Sequence, residues 1–267
     1  MEAGEPPGVE APYDLIVQWG ARVEPMAVSD EICTLETSYI EPRSKYCSVG
    51  FGHGINNRLR HYGPFEDASR WNERFSDCVK PWRDKSDGNT LIMGQCPGDM
   101  ALKGHEPFFH WVLATFRALK EEGIDPIYRA HPNMSAAGLI ARRDRMRKEW
   151  KMCVHRDEEH IWAPWLIALD EGLTVMADGI PLAEALAETR SVVTFNSNSG
   201  VDAVLSGVPA VTMDRGAMAW DVTGHMPAEI VRPDRTAWAH ALAWKQWTKD
   251  ELESGAAWDI VCPPHLG

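Results

Sequence analysis

The sequence predicts an α/β protein with two lobes, in which the second lobe is a doubly wound parallel sheet. Three observations predict this fold class. Between residues 90 and 214, short β-branched segments alternate with amphipathic helical segments, the pattern of a parallel sheet covered on both faces. Before residue 82, a few strand-like segments form a separate, smaller group. The Pro- and Gly-containing residues 80–89 separate the two groups.

Composition sets the broad class. The 267 residues are 44% hydrophobic and 25% charged, as in soluble globular proteins, and no apolar run approaches the roughly 20 residues of a membrane span. The N-terminal sequence lacks the layout of a signal peptide, so a cytoplasmic protein is expected. The six cysteines form no C-x-x-C pair, which argues against a zinc ribbon. A net charge of −12 restricts any DNA contact to a local patch, for which the basic run 142–148 is one candidate beside a solvated helix face.

The first lobe, residues 12–82, is predicted to be a small Rossmann-like lobe that follows a flexible tail at 1–11. Strands are expected at 13–20, 31–37 and 47–51, because these segments are rich in β-branched and aromatic residues. A Gly- and Asn-rich loop follows at 50–57, and a helix is expected at 67–75. Residues 83–89 are interpreted as the linker to the second lobe.

The second lobe, residues 90–234, is predicted from alternation of strands with helices. Strands are expected at 90–95, 125–132, 173–177, 191–196 and 209–214, and helices at 106–123, 135–150, 181–189 and 199–207. Because strand–helix–strand crossovers are right-handed, this lobe is also Rossmann-like. The segment between 151 and 172 has no clear pattern. Residues 235–267 are expected to form two Trp-rich helices that pack back on the first lobe.

Polar loops follow four predicted strands of the second lobe, at the edge where such sheets bind ligands. These loops contain Gly94, Gln95, Pro97, Gly98 and Asp99; Arg129 and His131; Asn196, Ser197, Asn198, Ser199 and Gly200; and Asp214, Arg215 and Gly216. A Ser/Asn cluster at a helix start favours an anion, since free backbone N–H groups and the helix dipole point at it. The same cluster is also typical of a plain helix cap. Together the four loops favour an anionic ligand such as a diphosphate, with Gly200 allowing a close approach of the backbone.

Several motifs carry a resemblance to a known family. The segments GQCPGD (94–99), RAHPN (129–133) and TFNSNSGVDAVLSGVPAV (194–211) resemble nucleotide-sugar glycosyltransferases of the two-lobed GT-B fold, including bacterial capsule Kdo transferases and sialyltransferases. The segments QWG (18–20) and DRTAWAHALAWKQWT (234–248) are similar to phage and prophage glycosyltransferase-like proteins. The resemblance spans nearly the whole chain.

The resemblance implies a donor site without a metal or a cofactor, with a nucleotide sugar, UDP-sugar favoured, as co-substrate. It implies that His131, Ser197 and Ser199 bind the donor phosphates and that Asp202 binds ribose hydroxyls. Arg129 and Arg215 take the place of a metal at the leaving diphosphate. The full implied donor set is Gln95, Gly98, Arg129, His131, Ser197, Asn198, Ser199, Asp202 and Arg215. The sequence departs from the family at Thr194, where many such enzymes have a second glutamate.

The first lobe is expected to supply the acid–base chemistry and the acceptor contacts. Glu36 ends a predicted strand and is the candidate general base, with Glu41 as the next candidate. A solvated strand-end glutamate fits Glu36 equally well. The predicted acceptor contacts are His53, Asn56, Asn57 and Arg58.

The predicted acceptor is a 5-hydroxymethylpyrimidine in phage DNA, reached by base flipping or through the major groove. A cationic and aromatic surface would make this contact. Its expected members are Arg43, Lys45, Tyr46, Arg58, Arg60 and His61. Two alternatives stay open: transfer to a polysaccharide, or a module that binds a nucleotide or sugar without catalysis. A sugar-nucleotide epimerase shares the fold, but its paired carboxylates are not identified.

Overall fold

A computed structural model describes residues 13–20, 29–105, 107–141 and 159–266. The chain divides into two compact units. The first unit comprises the residues up to Trp71 and those from Ala239 onward, and the second unit comprises Asn72–Trp238. Each unit contains one sheet, so the predicted α/β fold with two lobes is confirmed. The predicted tail and the basic run 142–148 lie outside the described residues.

The described elements follow the predicted order closely. The strands are β1 (Tyr13–Trp19), β2 (Ser29–Thr37), β3 (Tyr46–Phe51), β4 (Asn89–Met93), β5 (Pro126–Arg129), β6 (Thr174–Val175), β7 (Thr189–Thr194), β8 (Ala210–Thr212) and β9 (Gln246–Thr248). The helices are α1 (Ser69–Arg74), α2 (Phe108–Glu121), α3 (Glu159–Asp170), α4 (Leu182–Ala187), α5 (Ser199–Leu205), α6 (Thr236–Ala243), α7 (Lys249–Glu253) and α8 (Trp258–Val261). Residues 136–141 are also helical. No helix among the described ranges is long and apolar enough to cross a bilayer.

The sheet of the first unit is mixed and has the order β1-β2-β3-β9. Strands β1 and β2 are parallel, whereas β3 is antiparallel to both of its neighbours. Strand β9 lies in a segment that was predicted to be purely helical. It was missed because it has only three residues, which is too short for a period-two pattern to appear among the flanking helical residues.

Arg70 fixes the C-terminal residues of the first unit to the earlier ones. Its guanidinium makes two 2.8 Å hydrogen bonds to the carboxylate of Glu251 and lies 4.1 Å from the ring centre of Trp247. Its Nε also donates to the carbonyl oxygens of Ala243 and Gln246, at 3.1 Å each. Because Arg70 is buried, these contacts together satisfy a charge that would otherwise be strongly unfavourable inside the unit.

The sheet of the second unit has the order β6-β5-β4-β7-β8, and every neighbouring pair is parallel. Helix α2 packs against β4 and β5, and α5 packs against β7 and β8. Helix α3 occupies part of the segment that had no clear sequence pattern; its interior Pro164 is a residue that usually breaks helices. The strand order reverses between β4 and β7, which makes their carboxyl ends the expected ligand-binding edge.

The predicted linker is bound to the second unit. The N–H groups of Lys80 and Arg83 donate to the carbonyl oxygens of Leu205 and Gly207, each at 2.8 Å. A Cβ on Gly207 would lie 2.1 Å from the carbonyl oxygen of Pro81, so the two segments are in close contact. The division between the units falls at Trp71, before the boundary expected at residue 82.

Candidate functional site

A pair of buried amides fills the point where the strand order reverses. Gln95 follows β4, and its Nε2 donates to Oδ1 of Asn196, which follows β7, at 2.8 Å. The N–H of Asn196 donates to Oε1 of Gln95 at 3.2 Å, and its Nδ2 donates to the carbonyl oxygen of Ala101 and to Oδ2 of Asp214. The amide of Gln95 holds the two loops together, and its expected contact with a donor remains a prediction.

Ser197 and Ser199 are hydrogen-bonded to each other at the start of α5. This arrangement leaves the hydroxyl proton of Ser197 available. Oγ of Ser197 accepts hydrogen bonds from the N–H and the hydroxyl of Ser199, at 3.2 and 3.0 Å. Among the described residues, nothing accepts the proton of the Ser197 hydroxyl itself. Since a hydroxyl carries one donor and two acceptor positions, Ser197 is left with a donor for a ligand.

Gly200 has a packing role, and its predicted role in ligand approach remains a prediction. It is buried, and a Cβ there would lie 3.2 Å from Cγ2 of Thr194 and 3.5 Å from Cγ2 of Thr212. Because glycine has no side chain, α5 can pack closely against the ends of β7 and β8. Gly98 lies in an exposed turn with φ +86°, where glycine is required by the backbone conformation.

Arg129 ends β5 without a carboxylate partner among the described residues. One Nη donates to the carbonyl oxygen of Ile180 at 3.0 Å, while the buried Nε makes no hydrogen bond to a described residue. Desolvation lowers the pKa of this guanidinium below its ordinary value. A half-buried cation with an unused N–H is a site that an anion would stabilise.

The loop of His131 holds its imidazole ring with Nδ1 as a hydrogen-bond acceptor. Its Nδ1 accepts the N–H of Asn133 at 3.2 Å and lies 3.3 Å from Sγ of Cys96. Because Nδ1 is an acceptor, we assign the proton of the neutral ring to Nε2. Desolvation lowers the pKa of His131, opposed by the charge of Asp99, so the neutral form persists to lower pH than usual.

His131 and Ser197 flank the Gln95 loop. They follow β5 and β7, which lie on either side of β4, so two strand spacings, or about 9–10 Å, separate the two strands. Four buried polar atoms near this edge make no hydrogen bond to the described residues; they are Nε1 of Trp111, Oη of Tyr128, Nε of Arg129 and Oδ1 of Asn198. Buried polar atoms in folded proteins are nearly always paired, so this edge is suited to a polar ligand or to ordered water.

The loop after β8 adds a carboxylate that sequence reasoning did not link to a partner. Oδ2 of Asp214 accepts from Asn196 and from the N–H of Gly216, and its Oδ1 lies 3.7 Å from Nε2 of His105. His105 carries no motif, and only the folded loop brings it near Asp214. Arg215 is exposed and lies over the Trp220 ring at 5.9 Å.

Asp202 lies in the first turn of α5 and is half-buried. A carboxylate at this position complements the helix dipole. That is the plain structural role of an acid in a first turn. Its predicted contact with ribose hydroxyls remains a prediction.

Gly94 allows β4 to pass close to β5. A Cβ at Gly94 would lie 2.5 Å from Oη of Tyr128 and 2.9 Å from the carbonyl oxygen of Arg129. We therefore expect Gly94→Ala to lower the free energy of unfolding by about 1–3 kcal/mol, measured by urea titration. Gly138→Ala is the control, because its added methyl would meet only the hydroxyl end and Cβ of Ser135. Equal stability of the two variants would contradict this expectation.

In the first unit, Glu36 is bound to its own surroundings. Its Oε2 accepts the hydroxyl of Tyr39 at 3.1 Å and the N–H of Asn56 at 2.8 Å. Tyr39 is fully buried, and desolvation together with the charge of Glu36 raises the pKa of its phenol well above the usual value. The carboxylate therefore anchors the Gly- and Asn-rich loop, in which Asn56 has φ +56°.

Two predicted acceptor contacts line a cavity that does not include Glu36. His53 and Arg58 border a cavity of about 300 Å³, together with Glu31 and Arg60. Glu31 is buried, and its Oε2 lies 2.5 Å from Nη2 of Arg60. Glu36 is five residues further along β2, about 16 Å by strand rise, so the structure does not bring the candidate base and this cavity together.

The expected cationic and aromatic surface for DNA is only partly exposed. Tyr46 is buried, and Arg43 and Arg60 pair with Glu41 and Glu31. Nδ1 of His61 lies 2.8 Å from the carbonyl oxygen of Val49, and burial lowers the pKa of His61 to about 4. The six residues were grouped because they are close in sequence, and in the structure Lys45, Arg58 and Arg60 are exposed whereas Tyr46 is buried.

No protein-family model and no curated protein sequence matches the chain. Solved structures with a similar fold do exist. The β-Kdo 2,4 transferase of Thermosulfurimonas dismutans KpsC aligns with a TM-score of 0.53 and 13% identity, over 90% of this chain and 86% of that one. Its β-Kdo 2,7 transferase aligns with a TM-score of 0.49 and 12% identity, over 91% and 84%. The chain has a two-lobed fold of the GT-B type. The 2,4 transferase is not described as acting on DNA, so the phage DNA-base part of the resemblance gains no support.

Proposed function

We propose that this protein is a glycosyltransferase that moves a sugar from a nucleotide-sugar donor to a hydroxyl group of a carbohydrate acceptor. The observation that carries the proposal is Arg129, a half-buried cation at the ligand-binding edge without a carboxylate partner among the described residues. Next to it, His131 supplies a neutral N–H donor. A phosphate group could accept hydrogen bonds from both Arg129 and His131. The fold neighbours, which are named as Kdo transferases, favour a carbohydrate acceptor over DNA.

The proposed donor site uses the three polar loops around β4. Arg129, the Nε2–H of His131 and the hydroxyl of Ser197 bind the phosphates, and Asp202 binds the ribose hydroxyls. Gln95 positions the loops through its hydrogen bonds with Asn196. The co-substrate is a nucleotide sugar, with UDP-sugar favoured, and the proposal uses neither a metal nor a cofactor.

The proposed reaction is a displacement at the anomeric carbon of the donor sugar. The acceptor oxygen forms the new bond to that carbon, the bond to the phosphate oxygen breaks, and the acceptor proton passes to Glu36. Negative charge then grows on the leaving phosphate. Donors that are already oriented toward this charge stabilise the transition state without reorganisation. Arg129, His131 and Ser197 are the residues that supply them.

A thermal-shift screen with UDP, CMP, GDP and their sugars tests the donor. A ligand present at a hundred times its dissociation constant adds about 2.7 kcal/mol of stability. Transfer is then assayed by mass spectrometry on oligosaccharides and, in parallel, on DNA that contains hydroxymethylated pyrimidines. Failure of every nucleotide to stabilise the protein would contradict the proposal. Transfer only to DNA would replace the carbohydrate acceptor by the DNA base.

The variant Arg129→Met should affect nucleotide binding and the free energy of unfolding in different ways. We expect it to weaken nucleotide binding by about 10- to 100-fold, because a charge-assisted hydrogen bond contributes roughly 1.5–3 kcal/mol. The free energy of unfolding should stay the same or rise, since a desolvated charge without a counter-ion is removed. Calorimetric titration and urea unfolding measure the two effects. Arg117→Met, which removes an exposed arginine paired with Glu171, is the control and should leave nucleotide binding unchanged.

A module that binds a nucleotide or sugar without catalysis is the second candidate. The two hydrogen bonds that engage the carboxylate of Glu36 favour it, because they give this residue a structural role. Such a module would be stabilised by a nucleotide sugar but would neither transfer nor hydrolyse it. A single-turnover assay with each donor that binds distinguishes the two.

A further inference from the structure

Cys96 and His131 are hydrogen-bonded to each other at the ligand-binding edge of the second unit. Sγ of Cys96 lies 3.3 Å from Nδ1 of His131. Cys96 is in the loop after β4 and His131 is in the loop after β5, and both side chains are partly exposed. Since β4 and β5 are paired, this contact joins the loops of two neighbouring strands.

The contacts of the His131 ring leave one arrangement of protons. Nδ1 accepts the N–H of Asn133 at 3.2 Å, so in the neutral ring this nitrogen carries no proton of its own. A nitrogen without a proton can only accept, so the hydrogen bond with Cys96 requires the thiol S–H as its donor.

The thiol of Cys96 is suited to this role as a donor. Desolvation raises the pKa of Cys96, and the charge of Asp99 raises it further, so the S–H form persists at neutral pH. A thiol in this state is a weak nucleophile. Desolvation also lowers the pKa of His131, so its ring is neutral over the same pH range.

We propose that Cys96 is a positioning residue for His131, whose imidazole it holds with the proton on Nε2, ready to be donated to the donor phosphate. This inference rests on the donor site proposed above and extends it. A shift of the proton to Nδ1 would break the hydrogen bonds from Cys96 and Asn133 and would remove the N–H from Nε2. The thiol therefore opposes the tautomer that cannot donate to the phosphate from Nε2.

The NMR shifts of the ring nitrogens of His131 test the proton assignment without any ligand. At neutral pH in the wild type, we expect Nδ1 to be unprotonated and Nε2 to be protonated. Cys96→Ala should lower the ratio of the Nε2–H to the Nδ1–H tautomer by about 2- to 10-fold, the contribution of one neutral hydrogen bond. Cys96→Ser should keep the wild-type ratio, because its hydroxyl is also a donor. A wild-type ring protonated at Nδ1 would contradict the inference.

Calorimetric titration with inorganic pyrophosphate tests the effect on binding, with thermal unfolding measured on the same samples. Cys96→Ala should weaken binding by about 2- to 10-fold, and Cys96→Ser should restore it. In a His131→Ala background, Cys96→Ala should have no further effect, because a residue that acts through His131 then has nothing to position. Cys78→Ala, which removes another partly exposed thiol of the second unit, is the control and should bind like the wild type.

Arg129→Met is the reference that separates the two proposals. If Arg129→Met weakens pyrophosphate binding while Cys96→Ala changes neither binding nor the tautomer ratio, the role of Cys96 is wrong and the donor site stands. If Cys96→Ala weakens binding equally with and without His131, Cys96 does not act through the histidine and the positioning role is wrong. If the wild-type protein binds neither pyrophosphate nor any nucleotide, both proposals fail.

Discussion

Replacing Arg70 by methionine is expected to lower the free energy of unfolding of the first unit by about 3–5 kcal/mol. Removing one partner of a buried ion pair leaves the other charge without compensation. Here the residue left behind is Glu251, which is 17% exposed in its side chain. The substitution also removes the guanidinium that stacks on Trp247 and donates to two backbone carbonyls. Urea unfolding followed by tryptophan fluorescence measures the loss.

Arg74→Met on the same helix is the matched control, since Arg74 pairs with the largely exposed Glu73 at 3.6 Å. Pairs of this kind contribute roughly 0–1 kcal/mol. A loss below 1 kcal/mol in Arg70→Met would mean that the C-terminal residues are held by the apolar core alone.

Replacing Glu36 by glutamine is expected to lower kcat by about 10²–10⁴-fold while the dissociation constant of the donor stays unchanged. A general base acts in the transition state, so its loss affects turnover and not ground-state binding. The glutamine has nearly the same shape, and its amide oxygen can still accept from Asn56. Steady-state kinetics and calorimetric titration of the donor measure the two quantities.

Tyr39→Phe is the matched control for Glu36. It removes one hydrogen bond to the carboxylate and leaves the carboxylate in place. If Tyr39→Phe and Glu36→Gln lose equal activity, the role of Glu36 is to hold the loop at Asn56. If Glu36→Gln keeps near-normal turnover, Glu41 becomes the candidate base, or the enzyme retains configuration and needs no such base.

The regular part of the fold could be predicted because most elements of the second unit carry their own sequence pattern. Strand β7 is a β-branched run, and α2 has an apolar face between Pro107 and Gly123, so both were located within a few residues. The missed elements lack such local signals. Helix α3 contains Pro164, and β9 is three residues long and gains its stability from pairing with β3. Pairing between distant segments cannot be seen in a local pattern.

The candidate site was predictable where side chains lie at strand ends, and not where their partners are decided by folding. Arg129 ends β5 and His131 follows it, whereas Ser197 follows β7, and these two strands lie on either side of β4. The pairing of Gln95 with Asn196 and of His105 with Asp214 joins residues about 100 positions apart, and nothing in the local sequence of either residue encodes it. Likewise, the burial of His61 follows from the return of its loop over β3.

The position of β9 has a consequence for the order of events during synthesis. Residues 246–248 complete the sheet that begins at residue 13. The carboxylate that pairs with Arg70 belongs to Glu251, which follows these residues. The second unit, Asn72–Trp238, is contained in one stretch of chain between these pieces. During synthesis, the second unit can therefore fold before β9, the last strand of the first unit, has been made. Until that strand emerges, β3 presents an open edge to other chains, which makes this interval the stage at which a nascent chain is most exposed to mispairing.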